Sequence, residues 1–333
     1  MVDALLWLPA SGSVECLLCS HHCRLKDGMK GVCGVRFNKN GRLISVVTDL
    51  VSSIQMDPIE KKPLYHYLPG TKVFSIGSVG CNFHCKFCQN HHISVIPKGG
   101  VINGRRTTPR NLVDLAMQHK ARSIAFTYNE PSLSVELINS VSDIAFSYNM
   151  PIVLVSNGFM SLDFLDMMEN RISAINVDLK SFRDDFYRDY CGGRLKPVLE
   201  ALKKIRKLGW WLEVTTLVIH GINDSSDEIR DCACFIRDEL GPDVPWHLTA
   251  FHPAHQMSDY PSTTLDQLQA AWSIGKEVGL HYVYLGNVGA AVGGNTYCPD
   301  CFELVAERSP LKISYPVNGK CSKCGKEIPG VWR

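Results

Sequence analysis

Short apolar runs alternate with amphipathic stretches along most of this chain. Each run is bounded by polar or turn-forming residues, which is typical of buried parallel strands. The predicted strands are 73–76, 123–128, 152–156, 174–179, 211–219, 246–251 and 282–285. The stretches between them have helical periodicity and cover residues 109–120, 132–148, 162–170, 197–208, 226–240 and 265–278. This alternation predicts an α/β fold with a parallel sheet and right-handed crossovers.

A doubly wound sheet and a β/α barrel both fit this pattern. No Gly-x-Gly-x-x-Gly segment follows the first predicted strand, which counts against a dinucleotide-binding sheet. Six or seven strand–helix units favour a full or partial barrel. In either architecture, ligands gather at the carboxyl ends of the strands.

Capping signals mark several predicted helices. They are N-cap hydroxyl residues, an acid or amide three positions later, and a closing glycine. The residues concerned are Thr108 before Pro109, Ser225 with Glu228, Thr264 with Gln267, and the glycines Gly209 and Gly279.

Composition divides the chain into three predicted domains. Residues 1–70 form an N-terminal cysteine-rich segment and cap, residues 71–290 form the barrel, and residues 291–333 form a C-terminal module. The last region breaks the alternation and is too short for a core of its own. A small module of this kind is typically stapled by a metal.

Composition narrows the range of partners. Apolar residues make up 45% and charged residues 20%, with a formal net charge of +2. A net charge this close to zero does not indicate the strongly basic surface that is typical of nucleic-acid-binding proteins. No apolar run approaches the ~18–20 residues that span a bilayer, and the N-terminus lacks the basic region of a secretory signal. We therefore expect a cytoplasmic protein without membrane segments.

Cysteine is the informative residue, with 14 copies. Eleven of them fall into three tight clusters. Clustered thiols without a secretory context indicate metal ligation rather than disulfides.

The central cluster is Cys81-Asn-Phe-His-Cys85-Lys-Phe-Cys88, directly after the first predicted strand. Thiolates at Cys-x3-Cys-x2-Cys spacing can hold three irons of a [4Fe–4S] cluster and leave the fourth iron open to a ligand. The alternative is a structural zinc site with His84 or His91 as a fourth ligand. The position at the ligand-binding end of the sheet favours the cluster.

This loop after the first strand of a β/α barrel resembles the radical S-adenosylmethionine (radical SAM) superfamily. Phe87 matches the aromatic residue that members usually place before the last cysteine. The resemblance implies a partial (β/α)6-type barrel in which the open iron chelates S-adenosylmethionine. It also implies reductive cleavage to a 5′-deoxyadenosyl radical, which abstracts hydrogen from a substrate. The chain would then be an oxidoreductase that needs an external electron donor.

Polar segments at the ends of the next three predicted strands extend the resemblance. The segment around Glu130 resembles the Gly-Gly-Glu-Pro segment that holds the methionine amino group, with Tyr128 and Asn129 in place of two glycines. A serine–asparagine pair resembles the ribose-contacting segment, and an aspartate–lysine pair looks like the segment of glycyl-radical-enzyme activases. The implied cofactor contacts are Phe87, Tyr128, Asn129, Glu130, Ser156, Asn157, Asp178 and Lys180.

Further motifs, spread over nearly the whole chain, are similar to those of the radical enzyme of the AmmeMemoRadiSam system. That subfamily is also similar to pyruvate formate-lyase activating enzymes. The motifs are the segments 57–66, 80–82, 88–90 and 296–299. The resemblance implies Memo-like or AMMECR-like proteins as candidate partners and gives no substrate.

Two outer cysteine groups complete the pattern. Cys298, Cys301, Cys321 and Cys324 form two Cys-x-x-Cys pairs 19 residues apart, a zinc-ribbon signal that indicates a structural staple or a docking module. A second group of four near the N-terminus can complete a zinc site or an accessory iron–sulfur cluster. A single group of four favours zinc, because it matches tetrahedral closure. The residues of this second group are Cys16, Cys19, Cys23 and Cys33.

The sequence thus predicts a radical SAM enzyme that acts on an unidentified small molecule or protein. One alternative is a glycyl-radical-enzyme activase, and another is a non-catalytic binding protein with zinc at all three cysteine clusters. No catalytic residue is assigned. His220, His247 and His252 fall at or near predicted strand ends and are candidates for the substrate site.

Overall fold

The computed structural model describes residues 2–96, 102–288, 293–308, 313–316 and 318–332. An eight-stranded sheet forms its centre, and seven of the strands run parallel. The parallel strands are β1 (Lys72–Gly77), β2 (Ser123–Phe126), β3 (Ile152–Ser156), β4 (Ala174–Asp178), β5 (Trp211–Val218), β6 (Trp246–Ala250) and β7 (Val283–Gly286). The predicted parallel α/β sheet is confirmed.

The strands follow one another along the sheet in chain order. A sequential order has no reversal point, which distinguishes a barrel-type sheet from a doubly wound one. The strand Ser53–Pro58 pairs antiparallel with β1 and forms one edge, while β7 forms the other. The sequence did not predict this edge strand, whose burial pattern is mixed, with Asp57 buried and Gln55 and Pro58 exposed.

Helices cover the crossovers where the sequence predicted them. The longer ones are α1 (Pro109–Gln118), α2 (Val135–Phe146), α3 (Leu162–Met168), α4 (Leu195–Leu208), α5 (Ser226–Phe235) and α6 (Leu265–Val278). Short α-helical turns occur at His91–Ser94 and Asp184–Phe186, and 3-10 turns at Ile59–Lys61, Pro131–Ser134 and His255–Met257. π-helical turns follow at Tyr187–Cys191 and Ile236–Leu240.

The capping predictions hold with one difference. Thr264 and Gln267 form a complete capping box. The Ser225 side chain accepts from the Glu228 amide, but the Glu228 carboxylate bonds Ser181 Oγ and the Phe182 amide instead of closing the box. The Glu228 carboxylate, which the local pattern assigned to the helix cap, is therefore used in a tertiary contact instead.

The two faces of the strands enter different cores. Phe74, Ile76, Ile124 and Phe126 point to the helices and belong to the main apolar core. The alternate residues point inward, as period-2 geometry requires. They form a smaller cluster with residues of the segment before β1, namely Ile59, Leu64, Tyr67, Leu68, Val73, Ala125, Val153 and Ala174.

Small antiparallel sheets occupy both ends of the chain. Near the N-terminus they consist of Val2–Asp3, Arg42–Ser45 and Arg36–Lys39, and of Trp7–Ala10, Ser13–Cys16 and Arg24–Leu25. Leu50–Val51 pairs with Arg105–Arg106, and the last sheet contains Thr296–Tyr297, Leu304–Arg308 and Ile313–Ser314. Within the described residues, every helix is too short or too polar to cross a bilayer.

Candidate functional site

The carboxyl ends of the parallel strands surround one cavity of about 540 Å³. It is lined by the three cysteines of the central cluster and by every residue that the resemblance connected with S-adenosylmethionine, but not by His84 or His91. These residues are Cys81, Cys85, Phe87, Cys88, Tyr128, Asn129, Glu130, Ser156, Asn157, Asp178 and Lys180. The fold thus brings segments from four successive strand ends to one place, as expected for a barrel-type sheet.

The cysteine loop is held by its backbone. The His84 amide donates to the Cys191 carbonyl at 2.7 Å, and the Lys86 amide donates to the Tyr190 carbonyl at 2.9 Å. The loop begins at Gly80, which has a φ of 83°. The π-helical turn after β4 therefore supports the segment that carries the three thiols.

The three thiols provide the donor set that a [4Fe–4S] cluster needs. Burial raises the pKa of Cys81 and of Cys88, and a hydrogen bond with Cys191, together with burial, raises that of Cys85. Such thiols lose their protons when a bound metal compensates the charge. In the described part of the chain, these sulfurs belong to no group of three histidine, cysteine or carboxylate ligand atoms that all lie within 4.8 Å of one another, as a compact zinc site would require. The residues therefore fit iron in a cluster with one open position.

Glu130 presents a buried carboxylate to the same cavity. It accepts hydrogen bonds from the Ser132 and Asn157 amides at 3.1 and 2.9 Å, and from Ser156 Oγ at 3.0 Å. Burial raises the pKa of Glu130, although these donors oppose the shift. A cationic ligand group beside this carboxylate would offset the cost of burying its charge.

Tyr128 has a φ of 73°, in the left-handed region that favours glycine. Its side chain holds this conformation through contacts on several sides. The hydroxyl donates to Asp57 at 2.6 Å, and Lys62 Nζ lies 4.5 Å from the ring centroid. A Cβ on Gly77 would come within 2.9 Å of the ring, so the glycine makes room for the tyrosine. The tyrosine thus keeps a backbone shape that glycine adopts more easily.

Two asparagines tie the cysteine loop to neighbouring strand ends. Asn129 Nδ2 donates to the Gly80 carbonyl at 2.8 Å. Asn157 Nδ2 donates to Asn82 Oδ1 at 2.7 Å and lies 3.7 Å from Cys81 Sγ. These bonds fix the position of the first cluster cysteine.

Lys180 places a positive charge next to the thiols. Its Nζ is 2.8 Å from Asp178 Oδ2 and 5.7 Å from the centroid of the Phe87 ring. Burial lowers the pKa of Lys180, but Asp178 and the thiols of Cys85 and Cys191 raise it well above its usual value. The side chain therefore stays protonated and opposes the negative charge of cysteine ligands.

Some cavity residues were not predicted as site residues. Lys61 and Lys62 line the wall through a segment that the sequence analysis used only for subfamily likeness. Buried Cys191 lies behind the cavity lining, beside Cys85. No local sequence pattern predicts that these residues lie near the cavity, because they belong to elements other than the strand ends that form most of the site.

The structure does not bring the three histidines of the sequence analysis into the cavity lining. None of His220, His247 and His252 lines the cavity. His247 is the second residue of β6 and is buried against Glu213 at 2.6 Å, whereas the other two are exposed. The strand begins at Trp246, so its carboxyl end lies several residues beyond His247.

The C-terminal cysteines form a compact metal-binding group. The Sγ atoms of Cys298, Cys301, Cys321 and Cys324 all lie within 4.8 Å of one another. The Cys298–Cys324 and Cys301–Cys321 pairs are each 3.6 Å apart. This group could bind a metal ion, and it packs against Tyr282 in a small apolar cluster.

Comparison with known proteins agrees with this geometry. Residues 75–233 match the family model of the radical SAM superfamily. The chain is 40% identical to the uncharacterized protein MJ0808 of Methanocaldococcus jannaschii, over 95% of each chain. It is 25% identical to MJ1632 of the same organism, provisionally named as a glycyl-radical enzyme activating enzyme, over 64% of this chain and 78% of that protein.

Among solved structures, a radical SAM methyltransferase from Sphaerobacter thermophilus has a similar fold. Its TM-score is 0.50 at 17% identity, covering 68% of this chain and 71% of that one. The chain therefore contains a domain of the radical SAM superfamily at residues 75–233, and membership of that superfamily implies an enzyme with a [4Fe–4S] cluster and S-adenosylmethionine.

Proposed function

We propose that this chain cleaves S-adenosylmethionine reductively and that the resulting 5′-deoxyadenosyl radical abstracts hydrogen from an unidentified substrate. One observation carries the proposal. The thiols of Cys81, Cys85 and Cys88 line the same cavity as the buried Glu130 carboxylate. Three thiols with an anionic group beside them suit an open iron and a cationic amino acid ligand.

Each group has a stated task in this proposal. The three cysteines would hold three irons, and the cluster would supply the electron that breaks the S–C5′ bond. Glu130 would accept from the methionine amino group, while Ser156 and Asn157 would contact the ribose. The ion pair of Asp178 and Lys180 stands beside the cluster ligands.

The cavity continues past these groups. Its remaining wall contains Lys61, Lys62 and polar residues of the later strands, which include Thr215, Thr249 and Asn287. This part of the wall would face the substrate. A partly enclosed wall keeps water away from a radical and limits side reactions.

The test is anaerobic formation of 5′-deoxyadenosine. The full chain, reconstituted with iron and sulfide, is mixed with S-adenosylmethionine and dithionite. We expect the wild type and Cys234→Ala to form product, and Cys88→Ala to form none. Cys234 is a suitable control because it lies on α5, away from the cavity lining. No product from a wild type that carries a cluster would contradict the proposal.

A second candidate is activation of a glycyl-radical enzyme. The similarity to MJ1632 supports it. An activase would abstract a hydrogen atom from a glycine of a protein partner, which forms 5′-deoxyadenosine and leaves a lasting organic-radical EPR signal on that partner. A small-molecule enzyme would also form 5′-deoxyadenosine but would leave no radical on a protein.

We also propose that the chain groups with the radical enzyme of the AmmeMemoRadiSam system, on the strength of segments 57–66 and 296–299. Memo-like or AMMECR-like proteins are then its candidate partners. Co-purification of the full chain with such a protein from the same genome would test this association.

Zinc is the metal that we propose for the C-terminal group, because four thiolates at this spacing close a tetrahedron. A Cys321→Ser variant should lose about one zinc per chain and unfold at a lower temperature, since a structural zinc site contributes folding free energy. Metal analysis and thermal unfolding measure both effects, with Cys234→Ser as the matched control. An unchanged zinc content would refute the assignment.

A further inference from the structure

The N-terminal cysteines line one enclosed space in the structure. Cys16, Cys19, Cys23 and Cys33 face it, together with aliphatic side chains, His21 and Arg36. Four thiols that face one space are a donor set for a metal centre.

Local backbone geometry holds these thiols in place. Cys16 ends a strand, and its amide donates to the Cys23 carbonyl at 3.0 Å. A Cβ on Gly31 would lie 3.6 Å from Cys23 Sγ and 3.8 Å from Cys33 Sγ. The absence of a side chain at Gly31 therefore leaves room beside two of the sulfurs.

Arg36 supplies a buried positive charge at the same place. It is 1% exposed, its Nη1 lies 3.6 Å from Cys16 Sγ, and it forms an ion pair with Glu136. Its Nε has no hydrogen-bond partner among the described residues. A centre with four thiolate ligands carries excess negative charge, and this guanidinium, while paired with Glu136, can donate a hydrogen bond to the Cys16 sulfur.

The spacing of the sulfurs separates two kinds of metal centre. One zinc ion with Zn–S bonds of about 2.3 Å draws four sulfurs to within about 4 Å of one another. The C-terminal group meets that condition, but in the part of the chain that the structure describes no three of the N-terminal sulfurs lie within 4.8 Å of one another. The thiols of Cys81, Cys85 and Cys88 share this wider spacing. Thiolates that bind separate irons of a cluster stand farther apart than those on one ion.

We propose that Cys16, Cys19, Cys23 and Cys33 hold a second iron–sulfur cluster of the [4Fe–4S] type. All four irons would have a protein thiolate, so this cluster would leave no position open for S-adenosylmethionine. The inference departs from the zinc site that tetrahedral closure alone favours. It does not depend on the proposed reaction.

The second cluster would lie next to the first. A Cβ on Gly80 would come within 2.8 Å of the Cys33 carbonyl. The His21 ring lies 2.7 Å from the Asn82 carbonyl. Gly80 and Asn82 are the two neighbours of Cys81, so the backbone of one cysteine site contacts the backbone of the other.

The experiment counts metals in the full chain and in two variants. The wild type, a Cys81/Cys85/Cys88→Ala variant and a Cys16/Cys19/Cys23/Cys33→Ser variant are reconstituted anaerobically with iron and sulfide. Iron, sulfide and zinc are measured, and EPR spectra are recorded after reduction, with and without S-adenosylmethionine. We expect about eight irons in the wild type and about four in each variant, since each cubane carries four. The signal of the alanine variant should not respond to S-adenosylmethionine.

An alanine variant without iron would overturn the proposal, and a second zinc per wild-type chain would do the same. The alanine variant leaves the N-terminal site intact, so the result stands even if the serine variant fails to fold. Eight irons without any 5′-deoxyadenosine would refute the proposed reaction but support the second cluster. Four irons with full 5′-deoxyadenosine formation would refute only the second cluster.

Discussion

A Glu130→Gln variant should bind S-adenosylmethionine about 10- to 100-fold more weakly than the wild type. Hydrogen bonds to charged groups contribute about 1.5–3 kcal/mol, and each 1.4 kcal/mol is a factor of ten in affinity. Glu130 is buried, and amides and a hydroxyl already fix its orientation. Loss of its negative charge therefore removes an attraction for an ammonium group without opening a large space.

The measurement is a titration of S-adenosylmethionine into anaerobically reconstituted protein. Glu239→Gln is a matched control, because Glu239 pairs with Lys203 and does not line the cavity. Iron content and thermal unfolding should be the same in both variants. Wild-type affinity in Glu130→Gln would show that the carboxylate does not meet the ligand.

A Glu213→Ala variant should lose about 3–5 kcal/mol of unfolding free energy. Removing one member of a buried charged network leaves its other members buried without hydrogen-bond partners. Glu213 is fully buried and accepts from the Tyr65 and His66 amides at 3.0 and 2.8 Å. The His247 ring is 2.6 Å away. Urea unfolding of the zinc-loaded chain measures the loss.

The matched variant is Glu239→Ala, which removes an exposed carboxylate and should change the unfolding free energy by less than about 1 kcal/mol. Equal stability of the two variants would contradict the assigned role of Glu213. The circular dichroism of both folded proteins shows whether either has lost the sheet.

Lowering the pH should reduce the stability that the buried network of Glu213, His66 and His247 gives to the fold. Burial lowers the pKa of His66 from 6.5 to about 4, so the unfolded chain binds more protons between these values. Stability then falls as the pH drops from 6.5 towards 4. Burial raises the pKa of Glu213, but the hydrogen bond and charge of His247, the charge of His66 and the hydrogen bond from the Tyr65 amide together outweigh it and lower the pKa overall. The stabilisation from this carboxylate is present above its unfolded pKa of 4.5 and is lost as the pH falls through the folded value.

Periodicity alone determined most of the barrel. Buried strands such as β3 are apolar runs in the sequence, because both of their faces are covered in the structure. Each predicted helix has an apolar stripe on one side. The edge strand Ser53–Pro58 escaped prediction because its mixed pattern reflects pairing with β1, which lies beyond a turn-rich segment. Local patterns record burial, whereas an edge depends on a distant partner.

Spacing along the chain determined the cysteine clusters and the strand ends at which ligands gather. The thiol-to-thiol distances were decided by tertiary structure, and they separate the compact C-terminal group from the wider N-terminal one. Sequence spacing fixes which thiols can meet, but the backbone path around Gly31 and Arg36 decides how closely they approach.

The histidines illustrate what folding adds. The predicted strand 246–251 already put His247 at its amino end, but only the tertiary structure shows that the imidazole pairs with Glu213 of the neighbouring strand. The contacts of Tyr128 with Asp57 and of Cys85 with Cys191 likewise join residues from separate elements. The sequence by itself therefore determined the strand–helix order and the chemistry of the cluster loop, because both depend on neighbours within a few residues. The pairing of buried charges and the spacing of metal ligands depend on chain segments that only folding brings together.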